Sequence, residues 1–391
     1  MRISPDIFEN TEVAFADKSI ADLKKAKVLF QLMSNNGLVS LGSSLANLAL
    51  SLHLPVSPVF RFTVYNHFCG GETFAECKNT IQKLDKNGIG VLLNFGVELK
   101  EREEDFNKTV EHNLEALAFA GKNKAVKALC IKLTGFGRLG LFEKIQSGEK
   151  LSMDEKRELV TVKKRFDKVC SVAEKNDVPL YVDAEESWIQ NPLDEMVEEM
   201  MEKYNHKKCI VFNTLQLYRH DRLTYLQHQI ERAIAGQYIL GVKLVRGAYM
   251  EIERFRAKEM GYKSPIHRNK KEVDDDFNRA VNICLDNLQN LYVCVASQSE
   301  QSNHAAMELV EKKKIERNNP RVQFSQLYGM GDNITFNQAK SGFNATKYLP
   351  YGPVKEVIPY LIRRAQENTS VAGQTTRELA LITKEIKRRG V

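Results

Sequence analysis

Eight short apolar runs, each followed by a stretch of helical periodicity, constrain this chain more than any other feature. They are GIGVLLNF (88–95), VKALCIKL (126–133), VPLYVDAE (178–185), KKCIVFNT (207–214), YILGVKLV (238–245), LYVCVAS (291–297), RVQFSQLY (321–328) and TKYLP (346–350). Near-continuous apolarity is how strands covered on both faces read. The segments between them look helical, 152–173 most plainly. There Ser152 and Glu155 stand at capping-box spacing, and Leu159, Val162, Phe166, Val169 and Ala173 follow at three- and four-residue steps. The class is α/β. Eight strand–helix units predict a (β/α)8 barrel over 86–391, with a doubly wound open sheet as the alternative. Residues 1–85 read as a mainly helical N-terminal arm.

Composition narrows the function classes. The chain has 391 residues, 43% hydrophobic and 27% charged, which argues against disorder and against a membrane-embedded chain. A net charge of +7 is mild for this length, so nucleic acid is not an expected partner, while an anionic ligand or a membrane surface is compatible with it. The seven cysteines are scattered and never spaced C-x-x-C; they read as reduced thiols. The eight histidines show no ligand spacing, and no metal site is expected. The N-terminus lacks the apolar core of a signal peptide. The most apolar long stretch, 37–56, carries serines and a histidine and reads as a buried helix, not a membrane span.

Within LCIKLTGFGRLGLFEKIQ (129–146), Gly135, Gly137 and Gly140 form G-x-G-x-x-G. A dinucleotide fingerprint also needs an acidic residue roughly 20 positions on, at the next strand end. The next strand end supplies Asp183 and Glu185, far beyond that distance, and Phe136 and Arg138 are bulky for a phosphate-binding turn. A flexible loop after the second strand is the preferred reading.

In a barrel, function collects at the C-terminal strand ends. The polar residues there are Lys132, Asp183 with Glu185, Gln216, Lys243 with Arg246, Ser297 with Gln298, Gln326 with Tyr328, and Tyr348. Strands that simply end in polar surface residues would give a similar list. The last helix tips the balance. PYGPVKEVIPYLIRRAQEN (350–368) sets Tyr360, Arg363, Arg364 and Glu367 at i, i+3, i+4 and i+7, on one face. An aromatic ring beside two guanidiniums makes a clamp for a carboxylate or phosphate, because the guanidinium fork gives paired charge-assisted hydrogen bonds.

The blocks YVDAEES, NTLQLY, KLVRGAY, QLYGMGD and KYLPYGPVKEVIPYLIRRAQEN, in this order, resemble the signature blocks of the proline dehydrogenase family. The resemblance runs from about residue 60 to 370. It implies a distorted (β/α)8 TIM-type barrel that binds FAD without a Rossmann motif. The implied reaction oxidises L-proline to Δ1-pyrroline-5-carboxylate by hydride transfer to the flavin N5. The electrons then pass to a membrane quinone, ubiquinone or menaquinone. By the same resemblance, Lys243 lies beside the flavin N5, Val245 contacts the flavin edge through its backbone, and Leu244 packs near the substrate. Arg246, Gly247 and Ala248 line the cofactor, and Gln216 bonds the isoalloxazine. Lys132 lies near the substrate carboxylate, Asp183 near the flavin, and Tyr249 in the substrate pocket. Arg363 and Arg364 ion-pair with the carboxylate, while Leu327, Tyr348 and Tyr360 wall the proline ring. Glu367 contacts either the ribityl chain or the clamp. Gln298 stands where relatives commonly carry a cofactor-facing histidine.

Implied partners are a separate pyrroline-5-carboxylate dehydrogenase and a membrane touched peripherally. The membrane would be the inner membrane of a bacterium, the protein otherwise being cytoplasmic, or of a mitochondrion. Three alternatives remain at this level. One is a hydroxyproline dehydrogenase of the same family, which Tyr348 disfavours by filling the space of a ring hydroxyl. The second is a catalytically silent module that kept the fold. The third is an NAD enzyme using the glycine motif.

Overall fold

A computed structural model describes residues 3–35, 37, 60–96, 101–370 and 373–390, the side chains of 363–370 excepted. The stretch 37–56, read as a buried helix, falls outside the described residues apart from Gly37. The strands are β1 Gly90–Phe95, β2 Val126–Ile131, β3 Leu180–Val182, β4 Val211–Gln216, β5 Leu240–Val245, β6 Leu291–Ala296, β7 Val322–Leu327 and β8 Ala345–Tyr351. They close into a barrel in sequence order. Pairing is parallel, with Val182 beside Asn213, Gln216 beside Val245, and Leu92 beside Tyr348. The sequence expectation of a TIM-type (β/α)8 fold with an N-terminal helical segment holds, and the open sheet is excluded.

The principal helices are α1 Ile20–Met33, α2 Phe74–Asp85, α3 Glu103–Gly121, α4 Leu139–Gln146, α5 Met153–Asn176, α6 Ser187–Tyr204 and α7 Arg222–Gly236. They continue with α8 Met250–Met260, α9 Lys270–Asp286, α10 Glu300–Lys312, α11 Asp332–Lys340, α12 Val354–Ser370 and α13 Gln374–Arg388. The chain divides into two compact units, one of residues 99–324 and one of 3–98 with 325–391.

In the first unit, α5 begins as its sequence predicts. The Glu155 N–H donates to Ser152 Oγ (3.2 Å), and the Ser152 N–H donates to Glu155 Oε2 (2.7 Å). Val162, Phe166, Val169 and Ala173 are buried. Two strands differ from their expected bounds. The fourth starts late because the Asn205 side chain takes over the preceding backbone, accepting from Ile210 N–H (2.9 Å) and Val211 N–H (2.8 Å). It therefore runs on to include Gln216. The third is only three residues long, since the Glu185 N–H turns away to Gln190 Oε1 (2.7 Å).

The glycine motif is not a flexible loop, and that expectation is corrected. Leu133–Gly135 form a buried 3-10 turn, and Gly140 lies in the first turn of α4. A Cβ at Gly137 would stand 2.4 Å from Val162 Cγ2. The glycine lets the turn lie against α5, which is a packing reason.

The second unit holds β1, β8 and the described N-terminal residues. Ala14, Phe15, Leu23 and Phe30 form one buried cluster with Val357, Ile358, Leu361, Leu381 and Ile382. Lys384 reaches Glu9 (3.0 Å), and Arg389 donates to the carbonyls of Phe15 (2.8 Å) and Lys18 (2.7 Å). The N-terminal helices are thus stapled to α13 by both apolar and charged contacts. Helix α12 runs through Pro359.

A methyl group at position 137 has nowhere to go. Gly137→Ala is expected to lower unfolding free energy by about 1–3 kcal/mol, from overpacking against Val162. Urea denaturation checks it.

Candidate active site

In the first unit, the ends of β2 to β6 bring several of the expected residues together. Lys243, on β5, is 4% exposed and forms an ion pair with Asp183, just past β3. Burial pushes the Lys243 ammonium toward the neutral form, but the Asp183 carboxylate outweighs it and holds the pKa above its usual value. A lysine inside a barrel is stable only with such a partner. Lys132, following β2, donates to the Tyr249 hydroxyl (3.3 Å), and its ammonium lies 5.9 Å from the centre of that ring. Tyr249 is buried and precedes the first residue of α8.

Gln216, at the end of β4, is 2% exposed and ties two loops. Its Nε2 donates to the Glu185 carbonyl (2.7 Å), and its Oε1 accepts from the Ala248 N–H (3.1 Å). One N–H and one acceptor site of the amide remain beyond these two bonds. Val245 ends β5, and its carbonyl accepts from the Leu217 N–H (2.9 Å). Arg246 is spread across neighbours, donating to Asp274 (2.8 Å), Ser302 (2.7 Å) and Ser297 while stacking 4.5 Å from the Phe277 ring centre. Gly247 has φ +136°, and a Cβ there would meet the Tyr218 ring at 2.5 Å. Only glycine fits this turn.

Gln298 follows β6. Both polar atoms of its amide are buried, and neither has a hydrogen-bond partner among the described residues. A buried, unsatisfied amide loses its hydration without recompense, so the position calls for a group from outside the protein.

The second unit carries the remaining expected residues. Leu327, at the end of β7, and Tyr348, on β8, are half-buried, and Tyr360, on α12, is buried. The Tyr328 N–H donates to the Tyr348 carbonyl (2.9 Å). Arg363, Arg364 and Glu367 lie on α12, but their side chains fall outside the described residues.

The family model described as proline dehydrogenase matches residues 77–377. The chain belongs to the proline dehydrogenase family. It is 29% identical to mitochondrial proline dehydrogenase 1 of Dictyostelium discoideum, over 97% of this chain and 74% of that protein. It is 30% identical to mitochondrial proline dehydrogenase 2 of Arabidopsis thaliana, over 96% of this chain and 89% of that protein. The carbapenem biosynthesis protein CarD of Pectobacterium carotovorum is 32% identical, over 88% of this chain and 89% of that protein. Among solved structures, proline utilization A of Bdellovibrio bacteriovorus superposes with a TM-score of 0.72 at 21% identity. That match covers 81% of this chain and 34% of the longer one, and it speaks to the fold.

Two groups of functional interest go beyond the sequence reading of this proline dehydrogenase homologue, which placed Glu185 at a strand end without a role and passed over the second group. Glu185 is held by the Thr134 hydroxyl (2.6 Å) and N–H (3.1 Å), so its carbonyl is fixed for Gln216. In the second unit, Lys347, fully buried on β8, pairs with Asp332 (2.7 Å) and donates to the Met330 carbonyl (2.5 Å). Lys18, from the N-terminal segment, approaches the same Asp332 (3.8 Å). Burial alone would raise the Asp332 carboxyl, but these two cations hold it below its usual range. His67 Nε2 donates to the Gly329 carbonyl (2.8 Å), and burial beside Lys18 pushes its pKa down to about 4. Together these groups pin residues 327–332, the segment following β7. Only Lys347 lay within a recognisable strand, where a lysine reads as a solvated end.

Asp183→Asn leaves the Lys243 ammonium buried without its counter-charge and should cost about 3–5 kcal/mol of stability. Adding Lys243→Met should restore most of it; a urea double-mutant cycle measures both. The His67 pKa is lower folded than unfolded, so its contribution is present above about 6.5 and shrinks as pH falls toward 4. His67→Gln should flatten the pH dependence of thermal unfolding in that window.

Proposed function

We propose that this chain oxidises L-proline to Δ1-pyrroline-5-carboxylate with FAD as cofactor. The observation that carries the reading beyond family membership is the Gln298 amide, buried at a barrel strand end with donor and acceptor both unmet. It stands with the partly free Gln216 amide and the anchored Arg246 among polar groups that suit the hydrogen-bonding rim of a flavin. FAD, when bound, supplies the two-electron acceptor.

The protein's own residues do the rest. The Lys243–Asp183 pair keeps a protonated amine buried, and this places positive charge where an electron-rich group is favoured. Lys132, hydrogen-bonded to the Tyr249 hydroxyl, would neutralise a substrate carboxylate. By resemblance, Arg363 and Arg364 complete that neutralisation and Glu367 supports the clamp or the cofactor. Leu327, Tyr348 and Tyr360 then exclude water from the proline ring. Positioning of this kind contributes several kcal/mol of barrier lowering, on the order of 7 or more when the reacting atoms are well aligned. The proton on the proline nitrogen is lost before or during transfer, and no side chain is assigned as its base.

The same reading assigns residues 1–85 to a helical segment preceding an FAD-binding barrel of 86–391. Its electron acceptor is ubiquinone or menaquinone in a membrane touched peripherally, at the inner membrane of a bacterium or mitochondrion. A separate pyrroline-5-carboxylate dehydrogenase takes the product. Among the described residues no helix is long and apolar enough to cross a membrane, so contact through these helices would be peripheral.

An anaerobic visible spectrum tests the proposal. The purified protein should show a flavin spectrum that bleaches with L-proline and not with hydroxyproline at the same concentration. A flavin that stays oxidised would overturn the substrate, and a colourless protein would overturn the cofactor. Tyr348→Ser should gain hydroxyproline turnover while raising KM for proline.

A further inference from the structure

Leu327, Tyr348 and Tyr360, the residues expected to wall a substrate ring, all lie in the second unit, together with the described N-terminal residues. Tyr360 belongs to the buried cluster that Ala14, Phe15, Leu23 and Phe30 help to form. The N-terminal segment therefore shares a core with one wall residue.

It reaches the other two through charge. A single ammonium, that of Lys18, stands at both ends of the segment after β7. It lies 5.8 Å from the centre of the Tyr328 ring and 3.8 Å from the Asp332 carboxylate. Tyr328 follows Leu327 directly, and its N–H donates to the Tyr348 carbonyl (2.9 Å). Asp332 starts α11 and pairs with Lys347 (2.7 Å). The Lys347 ammonium also donates to the carbonyls of Leu327 (3.3 Å) and Met330 (2.5 Å). Lys347 precedes Tyr348 on β8, and alternation along a strand puts the two on opposite faces. The buried charges thus sit behind the ring wall, and one of their cations comes from position 18.

The backbone at Lys18 is fixed from two sides. Its N–H donates to the Phe15 carbonyl (3.0 Å), and its carbonyl accepts from Arg389 (2.7 Å). Arg389 is itself held by Glu385 (2.7 Å), fully buried on α13. The same helix supplies Glu378, which accepts from the Gly331 N–H (2.6 Å). Burial works against the Lys18 charge, but Asp332 outweighs it, with Tyr328 and Asp17 adding to the effect, and the pKa stands above its usual value. Asp332 already has a close counter-ion in Lys347. What Lys18 adds is a tie between the N-terminal arm and both ends of the 327–332 segment.

We propose that Lys18 is a positioning residue for the substrate. By holding Tyr328 and Asp332 from the N-terminal arm, it sets the 327–332 segment, and with it Leu327 and Tyr348, against a proline-sized ring. The proposal rests on the functional reading above for the identity of that ring, and not for the hold on the segment. A wall that meets the unreacting part of a ring contributes alike to bound substrate and transition state, so the tie acts on affinity more than on chemistry.

Steady-state kinetics of the full-length flavin-loaded protein with a soluble dye as acceptor, paired with amide hydrogen exchange, test this. Lys18→Met keeps the aliphatic stem and removes the charge. It should raise KM for L-proline about fivefold or more and leave kcat within about twofold. A purely structural loss would lower the amount of active protein, and hence the apparent kcat, and leave KM alone. The amides of Tyr328, Met330 and Gly331 should exchange faster in the variant, and those of β2 to β5 at the wild-type rate. Lys18→Arg, which keeps the charge, should stay near wild type in both readouts. Lys24→Met, which removes a charge from an exposed position of the same arm, should change neither. Should Lys18→Met not fold, Lys18→Gln carries the same readings. Unchanged exchange at the three amides, or an unchanged KM, overturns the proposal, as does a Lys24→Met variant that behaves like Lys18→Met. A flavin-loaded wild type that does not oxidise proline would instead overturn the functional reading, and the exchange rates would still decide whether Lys18 holds the segment.

Discussion

The Lys243–Asp183 ion pair sets the terms for the first unit's strand ends. A barrel of Val, Ile and Leu strands is a low-dielectric container, and an ammonium placed in it must be matched by a carboxylate. Lys243 comes from β5 and Asp183 from the turn after β3, with β4 between them. Their pairing therefore fixes the height at which β3 ends. The chain then bends at Glu185, whose carbonyl is taken by Gln216 of β4, whose oxygen in turn receives the Ala248 N–H of the β5 exit. Three consecutive strand exits are thus tied by one ion pair and one amide. Such a chain is stiff, as a site that must orient a small substrate requires.

Much of the barrel was legible in the sequence, for a physical reason. Strands covered on both faces must be apolar throughout, so all eight stood out as runs that no amphipathic helix produces. Their ends were less legible because side chains, not the strand ladder, decide them. Asn205 delays β4 by capping the backbone that precedes it, and Gln190 draws Glu185 out of β3. Neither effect has a periodic signature. The glycine triplet read as a flexible loop, but the reason for glycine at position 137 lay in a contact with Val162, 25 positions away, which spacing alone does not reveal.

The site was legible unevenly. Charged residues inside apolar runs, such as Lys132 and Lys243, were conspicuous because a strand interior gives no other reason to keep them. The N-terminal residues matched nothing, yet Lys18 reaches Asp332, which Lys347 of β8 also holds. That cluster joins residues more than 300 positions apart, and each member taken singly reads as a solvated surface charge. Only burial shows otherwise, and burial is a property of the fold.

The same logic bears on Gln298, where the sequence resemblance implies a histidine in relatives. A histidine there could satisfy at most two hydrogen bonds through its ring nitrogens, one of them as an acceptor only when neutral. A glutamine amide offers two donor hydrogens and an acceptor oxygen at once, and it does not change charge near neutral pH. Among the described residues, nothing bonds to either end of it. A residue that is electrostatically constant and complementary to both a carbonyl and an N–H is better suited to the edge of a heterocycle than to a single anionic oxygen. In the proposed flavin-bound protein, a glutamine at this position would offer a fixed, bifunctional contact where a histidine would offer a titratable one, which would make cofactor binding less sensitive to pH across the range where histidine titrates.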